Sequence, residues 1–235
     1  MNFTTASGES VPVDIRRRKG TKRLRLSIGQ HNQVIASVPW HTSDRKVANF
    51  IDEQSKWLED QLSSAPKVYS LIQWLRQNPY LTASGDVFDV RIEISKRSVA
   101  DYVFEQGGAV LALRLPRVEE PHLRALVSRF AKDSLGCRVA YHSKRLGLKY
   151  GSLSVRDQSS RWGSCSARRC ISLNWRLLLL NPALQDYVIL HELAHLSEMN
   201  HSERFWTLLD YYDPLRVMHE NELNQISAQL MRVGR

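Results

Sequence analysis

The chain has 235 residues, of which 43% are hydrophobic and 24% are charged, so its composition is that of a folded globular protein and excludes a disordered or fibrous one. Lys and Arg outnumber Asp and Glu by 33 to 24, and residues 1–50 alone hold nine basic against three acidic side chains. A basic surface attracts anions, so we expect any contact with nucleic acid or a nucleotide to involve this N-terminal part.

The cysteine count and the apolar runs indicate the cellular compartment of the protein. Its three cysteines lack the paired spacing of a metal site, which indicates free thiols in a reducing compartment. The first 14 residues contain no apolar run that would serve as a signal peptide, and the longest apolar stretch, Leu177–Leu180, is far too short to span a bilayer. We therefore expect a cytoplasmic protein without a membrane partner.

The N-terminal half is predicted to be rich in β-strands. Residues 23–28 alternate between apolar and basic or polar side chains, as a half-buried strand does, and residues 34–38 follow as the hairpin partner. Ser43 is a typical N-cap for an amphipathic helix over 44–62, whose apolar stripe is expected to lie on the sheet. The other strands predicted in this half cover 11–15, 86–94, 101–105 and 109–115, with a hairpin turn at Gly107 and Gly108.

The C-terminal half is predicted to be mainly helical. A long helix begins at Pro121 and ends near Gly147. Asn181 and Pro182 are typical of a helix start, and we expect this helix to end near Met199. Two more helices and two short strands are predicted over 202–212, 215–231, 153–155 and 170–173.

Together these elements predict an α+β fold. We expect a basic, β-rich N-terminal region over residues 1–115, built on a hairpin and packed with helices. We expect a helical C-terminal core with a small sheet over residues 116–235. The two regions form either separate domains or one continuous compact unit.

The pattern HELAH at residues 191–195 lies within a predicted helix. Residues four apart stand one turn apart on the same helix face, so His191 and His195 are placed to share one zinc ion. Glu192 is expected to act on a zinc-bound water as the general base of a metal-dependent hydrolase. The apolar turn before the motif, Tyr187–Leu190, indicates that the site lies in the protein interior.

A catalytic zinc usually has three protein ligands and one open position. His201 is the favoured third ligand, because the 191, 195 and 201 spacing equals that of the metzincin pattern HExxHxxGxxH, although Glu198 replaces its glycine. Asn200 is expected to make the turn with left-handed backbone angles, and with Glu203 it resembles a capping box. The alternative third ligands are His219, Glu220 and Glu222.

Three segments together resemble the YgjP-like metallopeptidase family: RWGSCS at 161–166, ISLNWRLLLLNP at 171–182 and YVILHELAHLSEMNHSERFW at 187–206. A looser resemblance covers the N-terminal half, where a basic hairpin precedes a helix with Trp57. The family is related to the SprT/Spartan and Wss1-like proteases, and its pattern HExxHxxxxxH implies that His191, His195 and His201 bind zinc. The resemblance further implies a zincin-like core and a peptide or protein substrate.

Other residues are candidates for a substrate cleft: Arg161, Trp162 and Ser164. The strand near 170–173 offers an edge along which an extended peptide would add, and Arg161 would polarise a substrate carbonyl or hold a phosphate. The alternative is that this segment only packs. Phe205 and Trp206 are expected to be core residues that hold the helix after His201. The histidines of other segments are expected at the surface: His31, His41, His122 and His142.

Two other classes of function stay open on the sequence. The basic charge balance is compatible with a metal-dependent hydrolase of nucleotides or other phosphate compounds. A nucleic-acid-associated protease would use the basic run Arg16–Arg25 to follow a phosphate backbone. A zinc-containing binding module is a further alternative, and it would need a fourth protein ligand to close the metal site.

Overall fold

The computed structural model describes residues 1–29, 32–65 and 68–235, and the contacts among them divide the chain into two compact units, Met1–Val68 and Tyr69–Gly234. Within the described residues the fold is α+β, with seven α-helices and three small sheets of mixed strand direction. The sequence placed the division into domains at residue 115, a prediction that stays untested, and the second unit spans that position. No described helix has the length and apolar character needed to cross a membrane.

The first unit is a four-stranded sheet with two helices. Its elements are β1 (Asn2–Thr4), β2 (Ser10–Arg18), β3 (Arg25–Ile28), β4 (Val34–Pro39), α1 (Asp44–Glu53) and α2 (Ser55–Ser64). The sheet order is β1-β2-β4-β3, with β3 and β4 antiparallel as the hairpin prediction required and β2 parallel to β4. One face of this sheet packs on the helices through Val34, Ala36 and Val38, which are fully buried with Val47 and Leu58.

The helix predicted over 44–62 is two helices in the structure. Ser43 caps the first as expected, since its hydroxyl accepts a hydrogen bond from the Lys46 amide at 3.4 Å. The regular α-helical hydrogen bonding is interrupted at Gln54. Its amide donates to the carbonyl of Ile51, three residues earlier, whereas an α-helix would pair it with the carbonyl four residues earlier. The apolar period continues through the break, so sequence periodicity does not reveal it.

The second unit contains a sheet with the same topology as the first. Its first elements are α3 (Leu71–Gln77), β5 (Tyr80–Ala83), β6 (Asp86–Ile94), β7 (Asp101–Glu105), β8 (Val110–Leu115) and α4 (Glu120–Arg145). The order β5-β6-β8-β7 repeats the antiparallel, parallel and antiparallel pairings of the first sheet. The turn between β7 and β8 contains Gly107 and Gly108, both at positive φ, which confirms the predicted hairpin.

The remaining elements surround the long helix α4. They are β9 (Ser152–Arg156), β10 (Gly163–Cys165), β11 (Cys170–Asn174), α5 (Pro182–Ala194), α6 (Glu203–Tyr212) and α7 (Arg216–Leu230). Asn181 caps α5, since its side-chain oxygen accepts from the Leu184 amide at 2.9 Å. This helix ends at Ala194, five residues before the predicted end. A continuous core of buried leucines, valines and aromatic residues joins α4, α5 and the second and third sheets.

Candidate metal centre

The last turn of α5 and its C-cap residue, His195, carry the HELAH pattern. His191 and His195 stand on one helix face with their ring centroids 5.0 Å apart. The turn before them is buried, with Val188, Ile189 and Leu190 at most 4% exposed. Because the helix axis is fixed by this apolar contact, the two imidazoles are held in one place at its C-terminal end.

His201 comes back to this helix end from the segment that leads into α6. Its Nε2 lies 3.1 Å from the Nε2 of His191, and one ligand atom from each of the three histidines lies within 4.8 Å of the others. The turn before His201 is not made as predicted, because Asn200 does not have the left-handed backbone angles that we expected. It is not among the described residues with positive φ. Ser202, without a side-chain cap, precedes α6, so the capping box of Asn200 and Glu203 is also wrong.

Two aromatic residues of α6 hold the imidazoles. Phe205 is fully buried and stacks on the His195 ring at 4.5 Å, with 27° between the planes. Trp206 stacks on His201 at 5.3 Å, and its other neighbour is the guanidinium of Arg216, 4.8 Å from the ring centroid. These contacts agree with the packing role predicted for Phe205 and Trp206. They also show that both rings contact the histidines directly.

His191 and His195 are held in the neutral form. Burial, together with the neighbouring His195 and His201, lowers the pKa of His191 to about 3. Burial also lowers the pKa of His195, whose Nδ1 lies 3.1 Å from the Glu198 carbonyl oxygen and donates to it. This hydrogen bond leaves the Nε2 lone pair of His195 available, as a metal ligand requires.

Glu192 is buried beside the triad with one oxygen unused. Its side chain is 6% exposed, and its Oε2 has no hydrogen-bond partner in the described chain. Burial raises the pKa of Glu192 to about 8, an effect that the nearby charge of Arg161 opposes. A buried polar atom without a partner is costly in an ordinary core, and such atoms concentrate where a ligand or water belongs.

The neighbour that makes room for Glu192 is Gly163. A Cβ placed on Gly163 would lie 2.5 Å from Oε1 of Glu192 and 2.8 Å from its carboxyl carbon. No side chain larger than hydrogen fits at this position without moving the carboxylate. Gly163 is thus a residue of the site, although within the RWGSCS segment only Arg161, Trp162 and Ser164 were predicted to line a cleft.

Strand β10, which carries Gly163, is an edge strand. The order of the third sheet is β10-β11-β9, so the strand predicted near 170–173 lies in the middle and is not the free edge that we expected for peptide binding. The segment 163–165 lacks apolar alternation and becomes a strand only by pairing with β11. The two edge strands of this sheet are β9 and β10, and β10 is the one that contacts Glu192, through Gly163.

The hydrogen-bond register shows which backbone groups of β10 face outwards. The Asn174 amide donates to the Trp162 carbonyl at 2.8 Å, and the Ser166 amide donates to the Cys170 carbonyl at 3.0 Å. In an antiparallel ladder hydrogen-bonded pairs alternate with non-bonded pairs, so the pairs that contain Gly163 and Cys165 are the non-bonded ones. The N–H and C=O groups of Gly163 and Cys165 consequently point towards the free edge.

The cleft residues expected from the sequence have different surroundings. Arg161 is exposed, whereas Ser164 is half-buried within the ladder opposite Ser172. The half-buried Trp162 ring donates through Nε1 to the Ser227 hydroxyl at 2.8 Å. The loop before β10 is fixed by buried Asn174, whose side-chain amide donates to the carbonyl oxygens of Gln158 and Arg161, both at 2.9 Å.

The alternative third ligands make other contacts. His219 lies 2.7 Å from a carboxylate oxygen of Asp213, Glu220 pairs with Arg216, and Glu222 accepts a hydrogen bond from Asn181. Among the described residues, His191, His195 and His201 form the only cluster of three or more potential metal ligands.

Of the histidines expected at the surface, His41 and His122 are exposed, whereas His142 is buried at 4% exposure, which corrects that prediction. The Nε2 of His142 lies 3.0 Å from Asp186, a carboxylate on α5 that the polar sequence context did not reveal. His31 lies outside the described residues.

The chain was compared with known proteins. The sequence model of a domain described as YgjP-like, metallopeptidase domain, matches residues 22–226. The crystal structure of the metallopeptidase zymogen of Pyrococcus abyssi abylysin aligns with 22% identity over 38% of this chain and 91% of that chain, with a TM-score of 0.34. No curated protein matches the chain. Because the family match covers most of the sequence, the chain belongs to the YgjP-like metallopeptidase family.

Proposed function

We propose that this chain is a zinc-dependent peptidase in which His191, His195 and His201 bind the metal and Glu192 is the general base. The observation that carries the proposal is the convergence of three imidazoles beside a buried carboxylate whose Oε2 has no partner in the described chain. A buried carboxylate oxygen without a partner is not expected of a merely structural core, since it leaves a polar atom unsatisfied.

The donor set fits zinc. At zinc–nitrogen distances of about 2.0–2.1 Å, tetrahedral ligands lie roughly 3.3 Å from one another. The 3.1 Å between the Nε2 atoms of His191 and His201 is close to that value. Three neutral imidazoles with one open position are a ligand set of catalytic zinc sites, and zinc supplies Lewis acidity that brings the pKa of a water ligand to about 7.

Glu192 has the position and the environment of a base. It follows His191 on the helix, so its carboxylate lies next to the triad without being one of the three donors. In the proposed reaction Oε2 of Glu192 accepts a proton from the attacking water and later delivers it to the leaving amine. Burial excludes bulk water from this oxygen, which strengthens its interaction with the reacting proton.

The substrate is proposed to be an extended peptide that pairs with β10. The outward N–H and C=O groups of Gly163 and Cys165 offer the main-chain hydrogen bonds of an added strand. Because Gly163 also faces Glu192, a peptide on this edge would have its backbone beside the catalytic carboxylate. The exposed side chain of Arg161, two residues before β10, is proposed to polarise the scissile carbonyl.

The direct test combines zinc content with peptide cleavage in Glu192→Gln. This variant is expected to bind one zinc ion per chain with wild-type affinity and to lose at least about 1,000-fold in kcat, since general-base catalysis is removed. The matched control is Glu198→Gln, which changes a nearby acid whose side chain has no assigned role. Cleavage by Glu192→Gln at the wild-type rate would refute the role of Glu192.

A further inference from the structure

The outer face of the first unit's sheet carries unpaired arginines. Strand alternation sends one set of side chains to α1 and α2 and the other to solvent. The solvent-facing set includes Arg16 and Arg18 on β2 and Arg25 on β3, all exposed. We call these three residues, with Ser37 between them on β4, the basic face.

The strand register places two of these arginines in one row. Ser37 is the partner of Arg16 in the parallel pair and of Arg25 in the antiparallel pair, so Arg16, Ser37 and Arg25 follow one another across three strands. Strands lie about 4.8 Å apart, so the two arginine backbones are roughly 10 Å apart. Arg18, two residues after Arg16, extends the same face towards the end of β2.

Acidic residues of the described chain neutralise only one of the three arginines of the basic face. Asp14 shares the face and pairs with Arg16 at 2.8 Å. Arg18 and Arg25 form no ion pair within residues 1–29, 32–65 and 68–235. Arg17 belongs to the opposite side of the strand, where it pairs with Asp44 at the start of α1. The face therefore keeps at least two uncompensated positive charges.

The second unit provides an internal comparison, because its sheet has the same topology. The row equivalent in register contains Glu93, Arg114 and Asp101. Arg114 pairs there with Glu93 at 3.3 Å and also with Glu105, while Arg91 lies 3.3 Å from Glu105. The same strand topology thus occurs twice in the chain. In the second sheet Arg91 and Arg114 are paired with acids, whereas in the described part of the first sheet only Arg16 of the basic face is paired, so the unpaired charges of Arg18 and Arg25 are a property of the first sheet and not of the topology.

An exposed aromatic residue is next in the chain after β4. Trp40 follows directly after β4, is 52% exposed, and has the ammonium group of Lys19 at 6.0 Å from its ring centroid. Pro39, its neighbour, is the register partner of Arg18. An exposed ring that follows directly in the chain after a basic sheet face is suited to unpaired bases, since each base offers a face for stacking and each nucleotide a phosphate.

We propose that the basic face and Trp40 bind single-stranded nucleic acid. A duplex hides its bases from a ring on a sheet surface, and a membrane would call for an apolar insertion surface that the polar side chains of this face do not supply. The inference concerns the first unit only and does not depend on the metal centre.

The test measures binding of a fluorescein-labelled 20-nucleotide single strand to the full chain by anisotropy at several salt concentrations. The double variant Arg18→Glu with Arg25→Glu is expected to bind at least about tenfold more weakly and to reduce the salt slope by about 1.4, since each single-strand phosphate contact contributes about 0.7. Trp40→Ala is expected to weaken binding without changing the slope, because stacking carries no charge. Peptide cleavage without nucleic acid should be unchanged in both.

The matched control is Lys132→Glu with Lys144→Glu, which makes the same change in net charge on the exposed side of α4. It is expected to keep wild-type affinity. The proposal is overturned if the wild-type chain does not bind at 50 mM salt, or if the control weakens binding as much as the double variant. It is also overturned if a duplex of the same length or vesicles of anionic phospholipid bind more tightly than the single strand.

Discussion

Gly163 and Glu192 face each other across the contact between β10 and α5, with no space for a Cβ between them. The hypothetical Cβ of Gly163 lies 2.5 Å from Glu192 Oε1, well inside van der Waals contact. What it meets is the end of a side chain, not backbone. A substitution at this position therefore displaces the carboxylate before it disturbs the strand or the helix.

Gly163→Ala is expected to separate activity from stability. The added methyl group moves Glu192 by about 1 Å, and a misplacement of that size costs roughly 100-fold in kcat/KM. Zinc content and thermal unfolding should stay near the wild-type values, because the histidines and the core are untouched. The control Ser164→Ala changes the next residue of β10 and should keep most of the activity. Wild-type turnover by Gly163→Ala would contradict the claim that activity depends on the position of the Glu192 carboxylate.

Cys165→Pro tests whether a peptide substrate pairs with the free edge of β10, because it removes one outward-facing backbone N–H. The N–H of Cys165 points away from β11, so proline removes a donor that the sheet does not use, a position where edge strands tolerate proline. We expect KM for a peptide substrate to rise about tenfold, the value of one lost hydrogen bond in a dry cleft, with kcat little changed. Cys165→Ala keeps the N–H and serves as the control. An unchanged KM in the proline variant would place the substrate elsewhere.

The Arg138–Asp186 pair should make stability depend on pH. Burial opposes ionisation of Asp186, but hydrogen bonds from His142 and Arg138 outweigh it, and the pKa of Asp186 is lowered from 3.8. An acid with a lowered pKa contributes stability above its ordinary pKa and loses it as the pH falls below that value. Asp186→Asn is expected to cost about 2 kcal/mol in the free energy of unfolding at pH 7, since the pair is mostly buried, and much less at pH 3.

Urea unfolding at pH 7, 5, 4 and 3 measures this difference. Asp210→Asn is the control, since Asp210 pairs with Arg216 but is 51% exposed, and its loss should cost less than about 1 kcal/mol. A difference between wild type and Asp186→Asn that stays constant from pH 7 to pH 3 would contradict the account of this pair.

The sequence predicted those features of the fold that rest on local patterns. The hairpin of β3 and β4, the start of α5 at Asn181 and the spacing of the histidines were all available from neighbouring residues. Helix α3 also had a local signal that was missed. Ser70 and Gln73 form a capping box in which each side chain bonds the other's backbone amide, at 3.1 and 3.2 Å.

Other features depend on contacts between distant segments, which periodicity does not encode. Strand β10 exists because 163–165 pairs with β11, and its loop is held by Asn174, which lies far along the chain from Gln158. Likewise α5 ends at Ala194 without a glycine or proline to mark the end. The role of Gly163 follows only once Glu192 is seen opposite it, so no pattern within either segment predicts it.

The central claim is that three histidines share one metal, and zinc analysis of protein purified without added metal tests it most directly. We expect one zinc ion per wild-type chain and a loss of roughly 100-fold or more in affinity for His201→Ala. His219→Ala and Glu222→Ala, which remove two of the three alternative ligands, should keep the full zinc content. Full zinc in His201→Ala, or its loss in both of the other variants, would contradict the proposed metal centre.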